Sequence, residues 1–448
     1  MTSPNAGVAL DQEMSSPPAA AWPLWRRIAF RFFFVYLVVH IAPWHWYNGV
    51  PGLVYLTRPL RQLNRWAVEQ ANAQFFHTYE KLIPTNGSGD TSFAWTEFKL
   101  LLLIAAIGCV IWSVADMKRM SYPRLDYWLR TIVRYYVATA ALSYGIIKIF
   151  ALQMLFPTIS QMVTPLGDFL PMRLEWMTIG YSDPYQMFAG YAEFTAGMLL
   201  LFRPSVPLGA LAAAGAFANV VMINLGYDVP VKIYSLHLLF CSAFLLAHDA
   251  RRLVNFFMLN RGGPPTRAWD PPFKTGRMRY ARWTAKAVLL YFVLVTPFMN
   301  GYARYTANKK VVVTKPFAVG LYDVQKYVVN GVAVPPLVTD SLRWRDLVID
   351  AAAGGSAGTR DTLFWQRYGR GYFRFKADTA KHTVAVWRSS FALDSTWMFS
   401  MRYEVPDTAT IKFWTKIRND SVYMELVRSK RHFQLAERQF HWLSEYNR

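Results

Sequence analysis

The chain has 448 residues, 53% of them hydrophobic and only 17% charged, with a mean hydropathy of +0.13. A soluble globular chain carries about 25% charged residues, so this balance excludes an ordinary soluble fold over the whole length. The formal net charge of +21 is compatible with nucleic-acid binding, but the basic residues form neither one cluster nor a nucleic-acid motif, and no nucleic-acid partner is expected.

Residues 1–21 are polar and rich in Pro, Ser and Ala, and read as a disordered tail with no cleavable signal peptide. Seven apolar runs of near-spanning length follow, at about 28–44, 98–115, 132–152, 186–203, 206–225, 231–248 and 286–302. Crossing the hydrocarbon core takes about 20 apolar helical residues, so the sequence predicts about seven transmembrane helices, with six as the alternative because the first and last runs are short, and the lipid bilayer as the protein's surroundings. With the N-terminus cytoplasmic, eighteen Lys/Arg fall in inside segments and six in outside ones. That asymmetry favours a multi-pass membrane protein with residues 303–448 outside.

Two outer loops are long. Residues 45–95 contain an amphipathic stretch (RPLRQLNRWAVEQANAQFFHTYEKL) expected to lie at the interface, ending in the turn Asn86-Gly87-Ser88-Gly89-Asp90. Residues 153–185 are punctuated by Pro and Gly and are expected to be irregular or re-entrant. Residues 254–285 form a cytoplasmic connection, with a linker at 261–276.

From 303 to 448 the pattern changes to short period-two segments, including Tyr372–Lys376, Thr383–Trp387, Ile411–Trp414 and Val422–Leu426. Turn residues separate them every ten to twelve positions, which predicts an extracytoplasmic all-β sandwich or barrel, with a short helix near Ser341–Val348. Trp365, Trp387, Trp397, Trp414 and Trp442 are expected mostly in its core.

Ionisable groups inside spans mark candidate sites, because a charge at mid-bilayer costs about 2.5–3.5 kcal/mol on insertion scales. Lys148 stands one turn after Tyr144 on the third run, and Glu193 lies on the fourth. Ala189, Glu193 and Gly197 share a small-residue face that admits a neighbouring helix. A Lys148–Glu193 pair is the expected polar centre, joined by Asn219 and His237. Asp228 and Lys232 flank an outer turn. The plain alternatives are a register-fixing ion pair, a snorkelling lysine and a histidine bonded to a neighbouring helix. His40 and His45 show no metal-binding spacing, and no metal is expected. Cys109 and Cys241 lie in apolar runs and read as core fillers. No phosphate-binding loop, dinucleotide fingerprint or nucleophile elbow occurs.

The residues Tyr144-Gly145-Ile146-Ile147-Lys148, Ala189-Gly190-Tyr191-Ala192-Glu193, Gly197-Met198-Leu199-Leu200-Leu201-Phe202 and Asn219–Leu236 resemble the DoxX-like family of four-helix membrane proteins, over about 131–253. The tail Phe440-His441-Trp442-Leu443-Ser444-Glu445-Tyr446-Asn447-Arg448 is similar to that of a set of uncharacterised bacterial membrane proteins. The first resemblance implies a central four-helix bundle, kinship to subunits of quinone-linked complexes such as thiosulfate:quinone oxidoreductase, a quinone as the bound cofactor, a possible membrane protein partner, and Lys148 with Glu193 as the matching site residues. The chain departs from the family in its extra helices, its C-terminal domain and the lack of a cysteine pair. The competing expectations are a non-enzymatic envelope scaffold whose C-terminal domain binds an outside partner, and a transporter, for which no internal repeat is visible.

Overall fold

The computed structural model describes residues 21–48, 50, 52–262, 275–309, 316–337, 343–388, 396–438 and 441–443. The expected N-terminal tail, most of the 261–276 linker and the last five residues lie outside the described residues. The chain divides into two compact units, one of residues 1–146 and 189–299, the other of 147–188 and 300–448.

The first half of the chain is helical. In chain order the helices are α1 (Leu24–Ile41), α2 (Leu53–Ala71), α3 (Ser92–Ala115), α4 (Pro123–Ile149), α5 (Ile159–Met162), α6 (Pro171–Gly180), α7 (Asp183–Leu200), α8 (Val206–Gly226), α9 (Lys232–Phe257), α10 (Gly276–Leu290) and α11 (Thr296–Lys309). A π-helical turn at Tyr291–Val295 joins the last two. Among the described residues five stretches are long and apolar enough to cross a membrane: Leu24–His45, Ser92–Ala115, Val206–Gly226, Lys232–Phe257 and Gly276–Asn308. The protein is therefore a membrane protein. Two expected runs, on α4 and α7, fall outside this set. On α4 the cause is visible in Arg124, Asp126, Arg130, Arg134 and Lys148, which lower its mean hydropathy.

The last apolar helix starts ten residues before the expected run. Arg277, Arg279, Arg282 and Lys286 mask its first turns in the sequence, and the Thr275 hydroxyl caps it by accepting from Met278 N at 3.4 Å. Helix α2 and the π-helical turn Asn72–Phe76 after it cover most of the expected amphipathic stretch, 58–82, with Leu60, Leu63 and Trp66 exposed.

Contacts between helix ends sort into two sets. At one end Trp22 N donates to Met120 O at 2.9 Å, and Arg31 Nη2 donates to Asp116 O and to the Tyr122 hydroxyl, both at 2.8 Å. Arg203 meets the Tyr127 hydroxyl, and His248 meets Asp126 at 3.1 Å. At the other end Gly89 N donates to Pro230 O at 2.7 Å, and the Asp90 carboxylate accepts from Lys232 N at 2.7 Å and Ile233 N at 3.0 Å. Asp90 thus places negative charge on the N-terminus of α9, where the helix dipole favours it.

The second unit carries strands β1 (Gly320–Val329), β2 (Val332–Ala333), β3 (Asp346–Asp350), β4 (Gly354–Ala357), β5 (Trp365–Arg367), β6 (Arg370–Asp378), β7 (Thr383–Arg388), β8 (Trp397–Glu404), β9 (Thr410–Ile417) and β10 (Asp420–Arg428). The neighbour order β10-β9-β8-β7-β6-β4-β3-β1 closes through β10–β1 pairing, every pair antiparallel. This is an up-and-down barrel, which removes both edges. Of the two expected architectures, the barrel is the one found. The short helix expected near Ser341–Val348 is corrected. Its last part is strand β3, because Leu347, Val348 and Ile349 are all buried, and residues 341–342 lie outside the described residues.

Aromatic and aliphatic side chains fill the barrel, among them Phe317, Trp344, Phe364, Phe373, Phe399 and Phe413. The gap left between them is about 10 Å³, room for about one water at most. Of the five tryptophans, most of which the sequence assigns to the core, none is fully buried. Trp397 and Trp442 are exposed and Trp365, Trp387 and Trp414 half-buried. Alternation along the strands explains Trp387 and Trp414, whose neighbours Val386 and Phe413 take the inward positions, while Trp397 is exposed at the first position of β8.

Candidate functional site

The most developed site in the helical unit surrounds His237. This residue lies on α9, one turn past the Asp90 cap, and its Nδ1 is 2.7 Å from Ile233 O. A carbonyl only accepts, so Nδ1 carries the proton and Nε2 is left as an acceptor. The Tyr36 hydroxyl on α1 donates to Nε2 in a short hydrogen bond. His40 follows Tyr36 by four residues on the same helix face, and its ring stacks on His237 with centroids 4.0 Å apart and planes at 19°. His40 Nε2 is buried without a hydrogen-bond partner among the described residues. Buried polar atoms are nearly always satisfied, and an exception in a site indicates a missing partner.

Two spaces meet at His237. One is a cavity of about 420 Å³ beneath the Thr85–Gly89 loop, with His40, Glu97, Tyr144, Tyr234 and His237 in its walls. Glu97 is held from α2 by Asn64 Nδ2 at 2.6 Å. Tyr144 and Tyr234 approach with ring centroids 6.1 Å apart. The other space is a slot of about 350 Å³, walled by Phe32, Phe33, Trp95, Leu102, Leu236 and Phe240. Phe98, Ile233 and His237 line both spaces. Trp95, Leu102, Leu236 and Phe240 are partly exposed at the slot, which therefore opens on the outer, lipid-compatible face of the helices.

The residues singled out from the sequence are distributed unevenly. Tyr144 and His237 line the cavity. Lys148 and Glu193 are both buried, at 8% and 4% exposure, but neither lines the cavity, and the unit boundary falls between them. Asn219 lies on the exposed side of α8, whose buried face runs through Ala213, Phe217, Val221 and Asn224. Asn224 is the inward asparagine and donates to the Ser235 hydroxyl at 2.9 Å. Asp228 and Lys232 form an ion pair at 2.7 Å in the turn beside the Asp90 cap. Cys109 and Cys241 are free and buried. Among the described residues no three His, Cys, Asp or Glu side chains are placed to hold a metal ion.

Sequence reasoning did not single out Tyr36, Tyr234 or Glu97, and assigned His40 no role. The four-residue spacing of Tyr36 and His40 was a readable signal, but their partner is about 200 positions away.

The second unit holds a separate polar chain. Arg370 Nε donates to Ser356 Oγ at 2.8 Å, Ser356 Oγ donates to Ser160 Oγ at 2.7 Å, and Ser160 Oγ donates to Asp350 Oδ2 at 2.5 Å. The Ser160 amide reaches Asp350 Oδ1 at 3.3 Å. Burial pushes the Asp350 carboxyl above the usual carboxylate range, and the Ser160 hydrogen bonds pull partly against this. With Arg173 Nε donating to the Tyr368 hydroxyl at 3.2 Å, the chain fastens the 153–185 segment to the barrel. Its groups are satisfied and enclosed, as in a structural clamp.

Comparison with known proteins is sparse. No family model matches the chain, and no solved structure matches. The chain is similar to the uncharacterized protein YwoB of Bacillus subtilis (strain 168), 33% identical over 84 residues, which is 19% of this chain and 54% of that protein. The chain thus spans about half the length of the relative it matches.

Proposed function

We propose that this protein crosses the membrane seven times and binds an amphiphile of the quinone class, with its ring in the His237 cavity and its apolar tail in the adjoining slot. The observation that carries the reading is the position of His237 in the shared wall of a polar-lined space and an apolar one. A molecule spanning both needs a hydrogen-bonding head and a hydrocarbon tail. Tyr144 and Tyr234 offer hydroxyl donors to a ring carbonyl, and their faces suit a flat ring. His40 Nε2, without a partner among the described residues, gains one when the head binds. The DoxX-like resemblance points to the same ligand class, although the groups that support it here are the two histidines and two tyrosines rather than Lys148 and Glu193.

What supports seven crossings is which helix ends meet. The start of α1, the α3–α4 turn, the α7–α8 turn and the end of α9 share contacts at one end, and the start of α3 and the α8–α9 turn at the other. Helices α4 and α7 leave and return to the first end, and α4, with 27 residues, is about 40 Å long. This supports a crossing by each of them. The α10–α11 stretch is long and apolar enough to span and supports the seventh crossing. The concentration of basic residues at the first end supports a cytoplasmic placement of that end, with the C-terminal domain outside, in a bacterial inner membrane.

Titrating the detergent-purified protein with a decyl-substituted benzoquinone, read by tryptophan quenching, tests the binding claim. Saturable quenching is expected, weakened about tenfold or more in His237→Phe, equivalent to about 1.4 kcal/mol. Equal affinity in the variant and the wild type would refute the assignment.

A further inference from the structure

At the opposite end of the same helical unit lies a cavity of about 440 Å³ that the quinone reading does not use. Arg130 and Arg134 enter it from α4, Arg203 from the α7–α8 turn and Arg252 from α9. Arg130 and Arg134 are four residues apart and so share a helix face. The nearby carboxylates are Asp249, 3.9 Å from Arg252, and Asp126, 3.0 Å from Arg130 and also bonded to His248. Four guanidinium groups therefore face two carboxylates, an excess of two positive charges in a partly enclosed space. Val206 and Pro207, the first turn of α8, also line it and add the positive end of a helix.

A second observation points to a bound anion. Nε of Arg130 and Nε of Arg134 are buried with no hydrogen-bond partner among the described residues. A guanidinium always carries its protons and only donates, so these two N–H groups call for an acceptor. Carboxylate and phosphate oxygens are the acceptors that match the planar guanidinium fork. The acidic side chains here are already engaged, and the volume suits a phosphate group with its substituents.

We infer that this pocket binds a phosphate-bearing anion of charge −1 to −2, through Arg130, Arg134, Arg203 and Arg252. Two sources supply that chemistry: the head group of an anionic phospholipid and a soluble phosphate compound. Placement at the end of the bundle where basic loops gather, beside an anionic leaflet, favours the lipid.

Native mass spectrometry of the full chain, released from nanodiscs of phosphatidylcholine with 20% phosphatidylglycerol, tests the lipid arm. One phosphatidylglycerol retained per chain is expected, with retention reduced about tenfold or more in Arg134→Gln and in Arg252→Gln but not in Arg58→Gln on the exposed side of α2. Thermal unfolding in lipid-free detergent with inorganic phosphate or pyrophosphate tests the soluble arm. A saturable rise in melting temperature, lost in the same two variants, would assign the pocket to a soluble phosphate. Arg252, with a side chain 48% exposed, keeps the test open if Arg134→Gln does not fold. Failure of both arms in the wild type, or equal behaviour of wild type and both pocket variants, would overturn the inference.

Discussion

Substituting Gly145 by alanine tests the packing that shapes the cavity. Gly145 follows Tyr144 on α4 and faces α7. An added Cβ would lie 2.7 Å from Phe194 N, 2.9 Å from Gly190 O and 2.9 Å from Phe194 Cα. All three are backbone atoms of α7, so no side chain can swing aside. Restoring an ordinary contact requires the two helices to part by about 0.7 Å, which loosens their shared seam. Overpacking of this kind costs about 1–3 kcal/mol, while the better helix propensity of alanine returns about 1 kcal/mol. A net loss of about 1 kcal/mol is expected. Gly215 on α8 is the control, since a Cβ there meets nothing within 4 Å, and Gly215→Ala should gain from propensity alone. Thermal unfolding of the detergent-purified proteins should show Gly145→Ala melting below wild type and Gly215→Ala at or above it. Equal shifts in the same direction would refute the argument from contact geometry.

Two further predictions concern the barrel unit and the topology. Asp350 has its carboxyl pushed up in the folded state, so folding favours its protonated form. Its contribution falls as pH rises from the ordinary carboxylate value of about 3.9 through the raised one. The stability of Asp350→Asn relative to wild type should therefore rise between pH 4 and pH 7, measured by thermal unfolding of the full chain, and a flat or falling difference would contradict the burial argument. On the topology, single cysteines replacing Asp228 in the α8–α9 turn and Thr379 after β6 should react with a membrane-impermeant maleimide applied outside spheroplasts, and one replacing Arg119 in the α3–α4 turn should not. Labelling of positions 228 and 379 from opposite sides would break the seven-crossing account.

What the sequence made legible was set by local physics. Five of the seven apolar runs fall in stretches long and apolar enough to span, and the period-two segments of the barrel appear as strands, because both patterns are local to one element. Features that depend on distant partners were not legible. Barrel closure rests on β1 pairing with β10, Tyr322 opposite Arg428, and nothing local distinguishes that from a sandwich. The 153–185 segment reads as a membrane loop, yet Ser160 binds Asp350 across 190 positions. On α8 the sequence offers two asparagines, and only the small-residue face through Gly209, Ala210 and Ala213 identifies Asn224 as the inward one. In the site itself, Lys148 and Glu193 drew attention as charges in apolar runs. Tyr36 and His40 looked ordinary until the fold brought His237 against them.

The central claim is that the His237 cavity and its slot hold one amphiphile. Native mass spectrometry of the protein purified gently from its membrane tests it most directly. The account predicts a co-purifying species with the mass of a quinone, present at about one per chain in wild type and lost in His237→Phe. Its absence from wild type, or its equal retention in the variant, would contradict the account.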